Sequence, residues 1–447
     1  MGVYRFADLF SGCGGLSLGL TLSGMVGQFA VERDPMAFET FEANLAGEGD
    51  GQVRQFEWPS WLEKKAWGIE ELLDKHLDDL KSLRGKIDVL AGGPPCQGFS
   101  FAGRRQGDDP RNMLFEKYVE VVEALQPSAV ILENVPGMRV AHAFKGPAKV
   151  GDAAPGSFYD KLLSSLDASG YAVEGLVLDA ANFGVPQRRS RLIAIGVRKE
   201  LAVFLPGGIG RVRPVVEMVR LTQLAELKLP ARVAAGDAIS DLRTKGRPLV
   251  PCTDPQSRDG YFELDYDVPT TTYQRLMRLP WPPAAMDSMR LARHSPEVAA
   301  RFARIIAECT KGVRMNEESR ERFGLKKHRI YPMAKGDPGP TITTLPDDIL
   351  HYDEPRILTV RESARLQSFP DWFEFKGKFT TGGNRRTKEC PRYTQVGNAV
   401  PPYLGRALGY AVTVLLDEIA TARQELSDAD RIAANDSVPL HPAMANP

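Results

Sequence analysis

The chain has 447 residues, 57 of them Lys or Arg and 57 Asp or Glu, with 43% hydrophobic and 26% charged residues. That length corresponds to about two or three domains of ordinary size, and the apolar share excludes wholesale disorder. No apolar run reaches the roughly 18 residues of a membrane span, and the N-terminus, MGVYRFADLF, lacks the basic-then-apolar pattern of a signal peptide. A cytoplasmic protein without membrane contact is expected. As an average, the net charge of zero argues against a nucleic-acid partner. By segment the picture differs: residues 1–200 carry −5, residues 201–400 carry +8 and residues 401–447 carry −3. Five scattered cysteines (Cys13, Cys96, Cys252, Cys309, Cys390) form no CxxC or Cys/His cluster, so reduced thiols are expected rather than disulfides or a metal site.

In chain order, Tyr4–Phe10 reads as a strand ending in the Gly-rich turn Ser11–Gly15, and Leu16–Leu20 opens a helix. Phe29–Val31 is a second strand ending in Glu32, followed by the helical DPMAFETFEANL. Ile87–Ala91 is a third strand, running into GGPPCQGFS. Helix-patterned Leu114–Leu125 precedes the strand Ala129–Leu132, which stops at Glu133-Asn134-Val135-Pro136. Phe158–Ser169 reads as a helix, and Tyr171–Leu178 and Arg191–Val197 as strands. This alternation predicts an α/β fold with a parallel sheet covered by helices on both faces and ligands at the carboxyl ends of the strands. From Leu205 the pattern turns irregular, which predicts a second, smaller domain over 205–389. The first domain would span 1–204 and be completed by 390–425, where Pro402–Glu425 forms a helix, and 426–447 would be a flexible tail.

Four segments carry chemistry. In Asp8-Leu9-Phe10-Ser11-Gly12-Cys13-Gly14-Gly15, close glycines let the backbone approach a ligand at a helix start, and Glu32 stands where such sheets hold ribose hydroxyls. The spacing is not GxGxxG, because Ser17 fills the last slot. Gly93-Pro94-Pro95-Cys96-Gln97-Gly98 puts one thiol on a rigid loop, the setting of a nucleophile. Glu133 ends a strand at the same edge, where a carboxyl can face the cleft as a proton donor or simply be solvated. Gln187-Arg188-Arg189-Ser190-Arg191 is either a solvated basic turn or a clamp on an oxygen-rich substrate.

In order and spacing these segments resemble the cytosine-C5 DNA methyltransferases of bacterial type. DLFSGCGG resembles the family's cofactor motif, GGPPCQGFS its nucleophile loop, ENV its glutamate motif and QRRSR its arginine motif. Farther on, RESARLQSFP (361–370) and YTQVGNAVP (393–401) resemble two more, so the resemblance runs from Tyr4 to about Leu416. It implies a Rossmann-like S-adenosylmethionine-dependent methyltransferase sheet and a DNA-recognition domain. It further implies that Cys96 adds to C6 of a flipped cytosine, Glu133 protonates N3, Arg189 and Arg191 steady the base, and Gln97 belongs to the catalytic loop. The implied cofactor residues are Phe10, Ser11, Gly12, Cys13, Gly15, Glu32, Arg33, Pro95, Leu114, Asn398, Ala399 and Val400. Where the family often has Asp-Ile, this chain has Gln52-Val53, so either Gln52 or Asp50 would meet the adenine amine. The basic segments 205–355 and 382–392 would contact double-stranded DNA. A monomer, with restriction or other defence proteins as partners, is the expected setting. The alternatives are an RNA-methylating relative, disfavoured by the long insert, and a non-catalytic DNA-binding module, which would have no need of Cys96 and Glu133 together. An NAD-dependent dehydrogenase would leave Cys96, QRRSR and VGNAVPP unexplained.

Overall fold

The computed structural model describes residues 2–47, 56–95, 114–139, 157–280, 286–325, 329–381, 385 and 388–436. Among them, six strands form the main sheet: β1 (Arg5–Leu9), β2 (Val26–Val31), β3 (Val89–Gly92), β4 (Ala129–Asn134), β5 (Tyr171–Asp179) and β6 (Ser190–Arg198), in the order β2-β1-β3-β4-β6-β5. β1 pairs in parallel with β2 and β3, and β3 with β4. The expectation of an all-parallel sheet is corrected at one strand: β6 runs antiparallel to both β4 and β5. Its connection to β5, residues 180–189 with one 3₁₀ turn at Ala180–Phe183, is too short for the crossover that a parallel neighbour needs.

Alternation along the central strands divides the sheet's two faces. Leu90, Val130, Leu132, Leu192 and Ala194 face one apolar cluster, while Val89, Ala91, Ile131, Ile193 and Ile195 face another. The first cluster is roofed by α3 (Ile69–Ser82), α4 (Leu114–Leu125) and α5 (Phe158–Ala168), through side chains such as Leu72, Val122 and Leu166. The second is roofed by α1 (Gly15–Leu22) and α14 (Pro402–Asp436), with α2 (Pro35–Phe41) at its rim. α1 and α14 cross backbone to backbone, since a Cβ on Gly19 would lie 2.5 Å from the Gly405 Cα. α14 continues eleven residues past Glu425, through the start of the expected tail, on the helix-favouring ARQELSDADRIAA.

After the short α6 (Lys199–Ala202), α7 (Val212–Glu226) interrupts the irregular stretch. Its Val212, Val215, Val216 and Val219 join the same cluster as α1 and α14. Beyond it lie short elements: α8 (Ala235–Ile239), the hairpin β7 (Leu249–Pro251) and β8 (Phe262–Leu264), α9 (Thr272–Met277), α10 (Pro296–Glu308), α11 (Glu317–Arg322), β9 (Tyr331–Pro332), β10 (Ile349–Leu350) and α12 (Val360–Leu366). α13 (Arg392–Asn398) leads back to the sheet. Phe302, Ile305, Met315, Phe323 and Ile330 make a small separate apolar cluster there. Among the described residues no helix is long and apolar enough to cross a membrane.

Candidate active site at the carboxyl ends of the strands

β1 ends in a turn of left-handed backbone conformations. Phe10, Gly12 and Gly14 have φ of 60°, 57° and 95°, and the two glycines adopt this region without the penalty a Cβ brings. Nothing lies within 4 Å of where a Gly12 Cβ would be, so the backbone there faces open space. At the end of β2, Glu32 closes the turn: its Oε2 accepts from Gly12 N (3.0 Å) and its Oε1 from Asp34 N (2.7 Å). Burial pushes the Glu32 carboxyl above its ordinary pKa, against the pull of those two N–H groups. Ser11 Oγ and one oxygen of Asp8 are buried beside the turn without a partner among the described residues. The other Asp8 oxygen accepts from Ser17 Oγ at 2.5 Å. Arg33 is exposed next to Glu32.

The closing YTQVGNAVP segment packs onto this turn. A Cβ on Gly15 would collide with the Val400 carbonyl, and one on Gly397 with the backbone of Thr343. Gln395 anchors the segment: Oε1 accepts from Thr40 Oγ1 (2.7 Å), and Nε2 donates to the carbonyls of Cys390 (2.9 Å) and Lys376 (3.1 Å). Asn398 is exposed at the edge, Ala399 half-buried and Val400 buried. Cys13 is turned into the core, its thiol 3.7 Å from the Gln395 carbonyl, and burial pushes it up to about 12. Cys252, Cys309 and Cys390 are likewise raised by burial, so none of the four described cysteines is a ready nucleophile.

At β3 the chain leaves the sheet through Gly93, Pro94 and Pro95. Asn134 Nδ2 donates to the Pro94 carbonyl (3.1 Å), and a Cβ on Gly93 would sit 3.2 Å from Glu133 Oε2. The stem of the loop is therefore fastened under the end of β4. Cys96, Gln97, Gln52 and Val53 lie outside the described residues. Leu114 opens α4, half-buried against the apolar cluster on that face.

Glu133 and Arg191 meet as an ion pair, Nε to Oε1 at 2.6 Å, with side-chain exposures of 12% and 11%. The reversed direction of β6 makes this contact. Because β6 is antiparallel to β4, its first residues stand at the carboxyl end of β4, where ligands gather in such sheets. The expectation that Arg189 steadies the base is corrected. Its side chain is 2% exposed and points inward, donating to the carbonyls of Ile342 (3.2 Å), Gly397 (3.0 Å) and Asn398 (3.4 Å). In an extended segment alternate side chains share a side, and here that side leads from the core at residue 187 to the cleft at residue 191. Asn134, Gln187, Gln367 and Gln395 went without roles in the sequence reading. Their position inside the motifs was the available signal.

The profile of the C-5 cytosine-specific DNA methylase family matches residues 4–413. The Type II methyltransferase M.XorII of Xanthomonas oryzae pv. oryzae is 31% identical, over 90% of this chain and 82% of that protein. The Type II methyltransferase M.DdeI of Desulfomicrobium norvegicum is 30% identical, over 92% and 89%. A prophage-encoded Escherichia coli protein, described as a DNA modification methyltransferase, shares the fold with a TM-score of 0.60 at 24% identity, over 93% of this chain and 99% of that one. The chain therefore belongs to the C-5 cytosine-specific DNA methylase family and is a DNA cytosine-5 methyltransferase.

Proposed function

We propose that this enzyme methylates C5 of a cytosine flipped out of a specific double-stranded DNA sequence, through a covalent bond between Cys96 and C6. The half-buried Glu133–Arg191 pair, with Glu133 beside Gly93 and its neighbour Asn134 bonding the Pro94 carbonyl on the stem that leads to Cys96, is the observation that supports it best. Cytosine C5 is a weak nucleophile until a thiolate adds at C6, and N3 must gain a proton as that bond forms. Glu133 would hold the N3 and N4 edge and supply that proton. Arg191 orients the carboxylate and would reach the base O2 from the same side. After methyl transfer, loss of the C5 proton and elimination at C6 release Cys96. The base is out of reach inside a duplex, so extrusion into this cleft is required.

The turn at Phe10–Gly15 fits S-adenosylmethionine, which would supply an electrophilic methyl group. The orphaned Ser11 Oγ and Asp8 oxygen offer acceptors, Gly12 leaves room, and Glu32 retains lone pairs beyond its two backbone bonds for ribose hydroxyls. Pro95, Leu114 and Asn398–Val400 would complete the pocket. The similarity to Type II methyltransferases supports a role in host-DNA protection beside a restriction or other defence nuclease.

A duplex carrying 5-fluorocytosine at the target tests the mechanism, because no C5 proton can leave. Bisulfite sequencing of plasmid from expressing cells first identifies the site. A denaturing gel should then show a protein–DNA adduct, absent for Cys96→Ala, which should lose at least about 10³-fold in turnover while still binding DNA. Turnover retained by Cys96→Ala, or methylation confined to RNA, would overturn the reading.

A further inference from the structure

Two parts of this site come from distant stretches of the chain: the base-facing pair Glu133–Arg191 and the segment Asn398–Val400. Between them runs a closed ring of hydrogen bonds. Gln187 is fully buried; its Nε2 donates to Gln367 Oε1 (2.9 Å) and the Leu366 carbonyl (3.2 Å), and its Oε1 accepts from Ile342 N (2.9 Å). Gln367, also fully buried, donates through Nε2 to the Val396 carbonyl (2.7 Å). Arg189 closes the ring, bonding the Gly397 and Asn398 carbonyls on one side and the Ile342 carbonyl on the other. Two residues farther along the same extended segment is Arg191.

Arg189 is an expensive choice for packing alone. Among the described residues it has no carboxylate within ion-pair distance, and a buried guanidinium held only by carbonyls is costly relative to a neutral side chain. Local rules are broken in this way where function needs the geometry. We propose that Arg189, Gln187 and Gln367 are positioning residues, which register the base-holding pair Glu133–Arg191 against the cofactor-side segment Asn398–Val400. The inference rests on the functional reading given above. Arg189 spans both sides because its planar fork has donors in two directions, whereas a lysine ammonium has a single point of attachment. Gln367 is needed as an amide, because its oxygen takes the Gln187 proton while its nitrogen serves Val396.

The test uses the full-length enzyme with Arg189→Lys and Gln367→Glu. The second swaps a donor for an acceptor facing the Val396 carbonyl at almost unchanged volume. Four quantities are read: kcat and KM on the target duplex, calorimetric affinity for S-adenosylhomocysteine, DNA affinity at fixed salt, and the thermal midpoint. Each variant should lose about 10–100-fold in kcat and about five-fold or more in S-adenosylhomocysteine affinity, with DNA affinity within about two-fold of the parent. A folded variant with kcat and S-adenosylhomocysteine affinity both within about two-fold of the parent would overturn the proposal. So would losses in all affinities that only track the folded fraction, or unfolding of both variants, since the ring would then be merely structural. Should Arg189→Lys alone unfold, Gln367→Glu decides. A parent that binds S-adenosylhomocysteine but methylates no cytosine would sink the functional reading instead, and the affinity arm would still test the ring.

Discussion

The six-stranded sheet and the region 235–381 share apolar packing but differ in what else their interiors hold. In the sheet unit, alternate strand residues feed two apolar layers, and the candidate site residues stand at strand ends. Region 235–381 has little regular structure, and its interior holds charge. Arg365 is fully buried between Asp241 (2.9 Å) and Asp371 (2.7 Å), and Tyr266 also donates to Asp241 (2.8 Å). Arg356 bridges Glu362 (2.7 Å) and Glu354 (2.8 Å), and Arg361 bonds the carbonyls of Pro370 and Phe373. Hydrophobic burial needs only the right pattern. A buried ion pair needs its partner, because either charge alone in that interior is costly. The first region should therefore tolerate loss of a site residue without unfolding, and the second should not tolerate loss of one member of a pair.

The largest expected effect lies at the sheet edge. Glu133→Gln should reduce turnover by about 10²–10⁴-fold, the usual worth of a positioned proton donor, while the thermal midpoint stays close to that of the parent. A variant that unfolds instead would show that the strand-end site also carries the fold, and the contrast would fail. Next comes Arg365→Met, which strands Asp241 and Asp371 and should cost about 3–5 kcal/mol in chemical denaturation. Adding Asp241→Leu and Asp371→Leu should recover much of that loss. If the triple variant is no better than the single one, packing rather than pairing holds the region.

The smallest effect concerns an exception within the sheet unit. Asp8 is a buried acid with one oxygen bonded to Ser17 and the other without a partner among the described residues, and burial holds its carboxyl up at about 7. In the unfolded chain the same group titrates at about 3.9. Between these values the folded state holds the proton more tightly, so the stability Asp8 contributes below about pH 4 is lost as pH rises through 7. Asp8→Asn keeps an acceptor for Ser17 and has no proton to lose. Its thermal midpoint should gain on the parent's as pH rises from 4.5 to 8; parallel curves would show that Asp8 titrates normally.

Much of the site was legible in the sequence because it stands where strands end, and strand ends are marked locally. Phe10–Gly15, Glu32, Pro94–Pro95 and Glu133 all fall at the ends of apolar runs read from the chain. α3 and α7 were also readable from Leu72 and Leu80, and from Val215, Val216 and Val219, though neither was anticipated. The direction of β6 was not read, and with it the reason Arg191 can reach Glu133. Nor was the inward turn of Arg189, because an arginine's partners here are backbone carbonyls from residues 342, 397 and 398, which carry no side-chain signature.

Composition and periodicity determined by themselves that this is an α/β chain, and that its zero net charge conceals a basic middle. Tertiary structure alone decided which of those basic residues face outward. Arg356, Arg361, Arg365 and Arg392 are buried, with carboxylates and carbonyls as partners. They offer nothing to a phosphate, and the buried Asp241, Asp348, Glu354, Glu362 and Asp371 of the same segment offset them in the count, so the +8 of residues 201–400 rests on the less buried residues. The physical reason is that hydrophobic patterning is local in sequence, whereas the partner of a buried charge is chosen by where the chain returns in space.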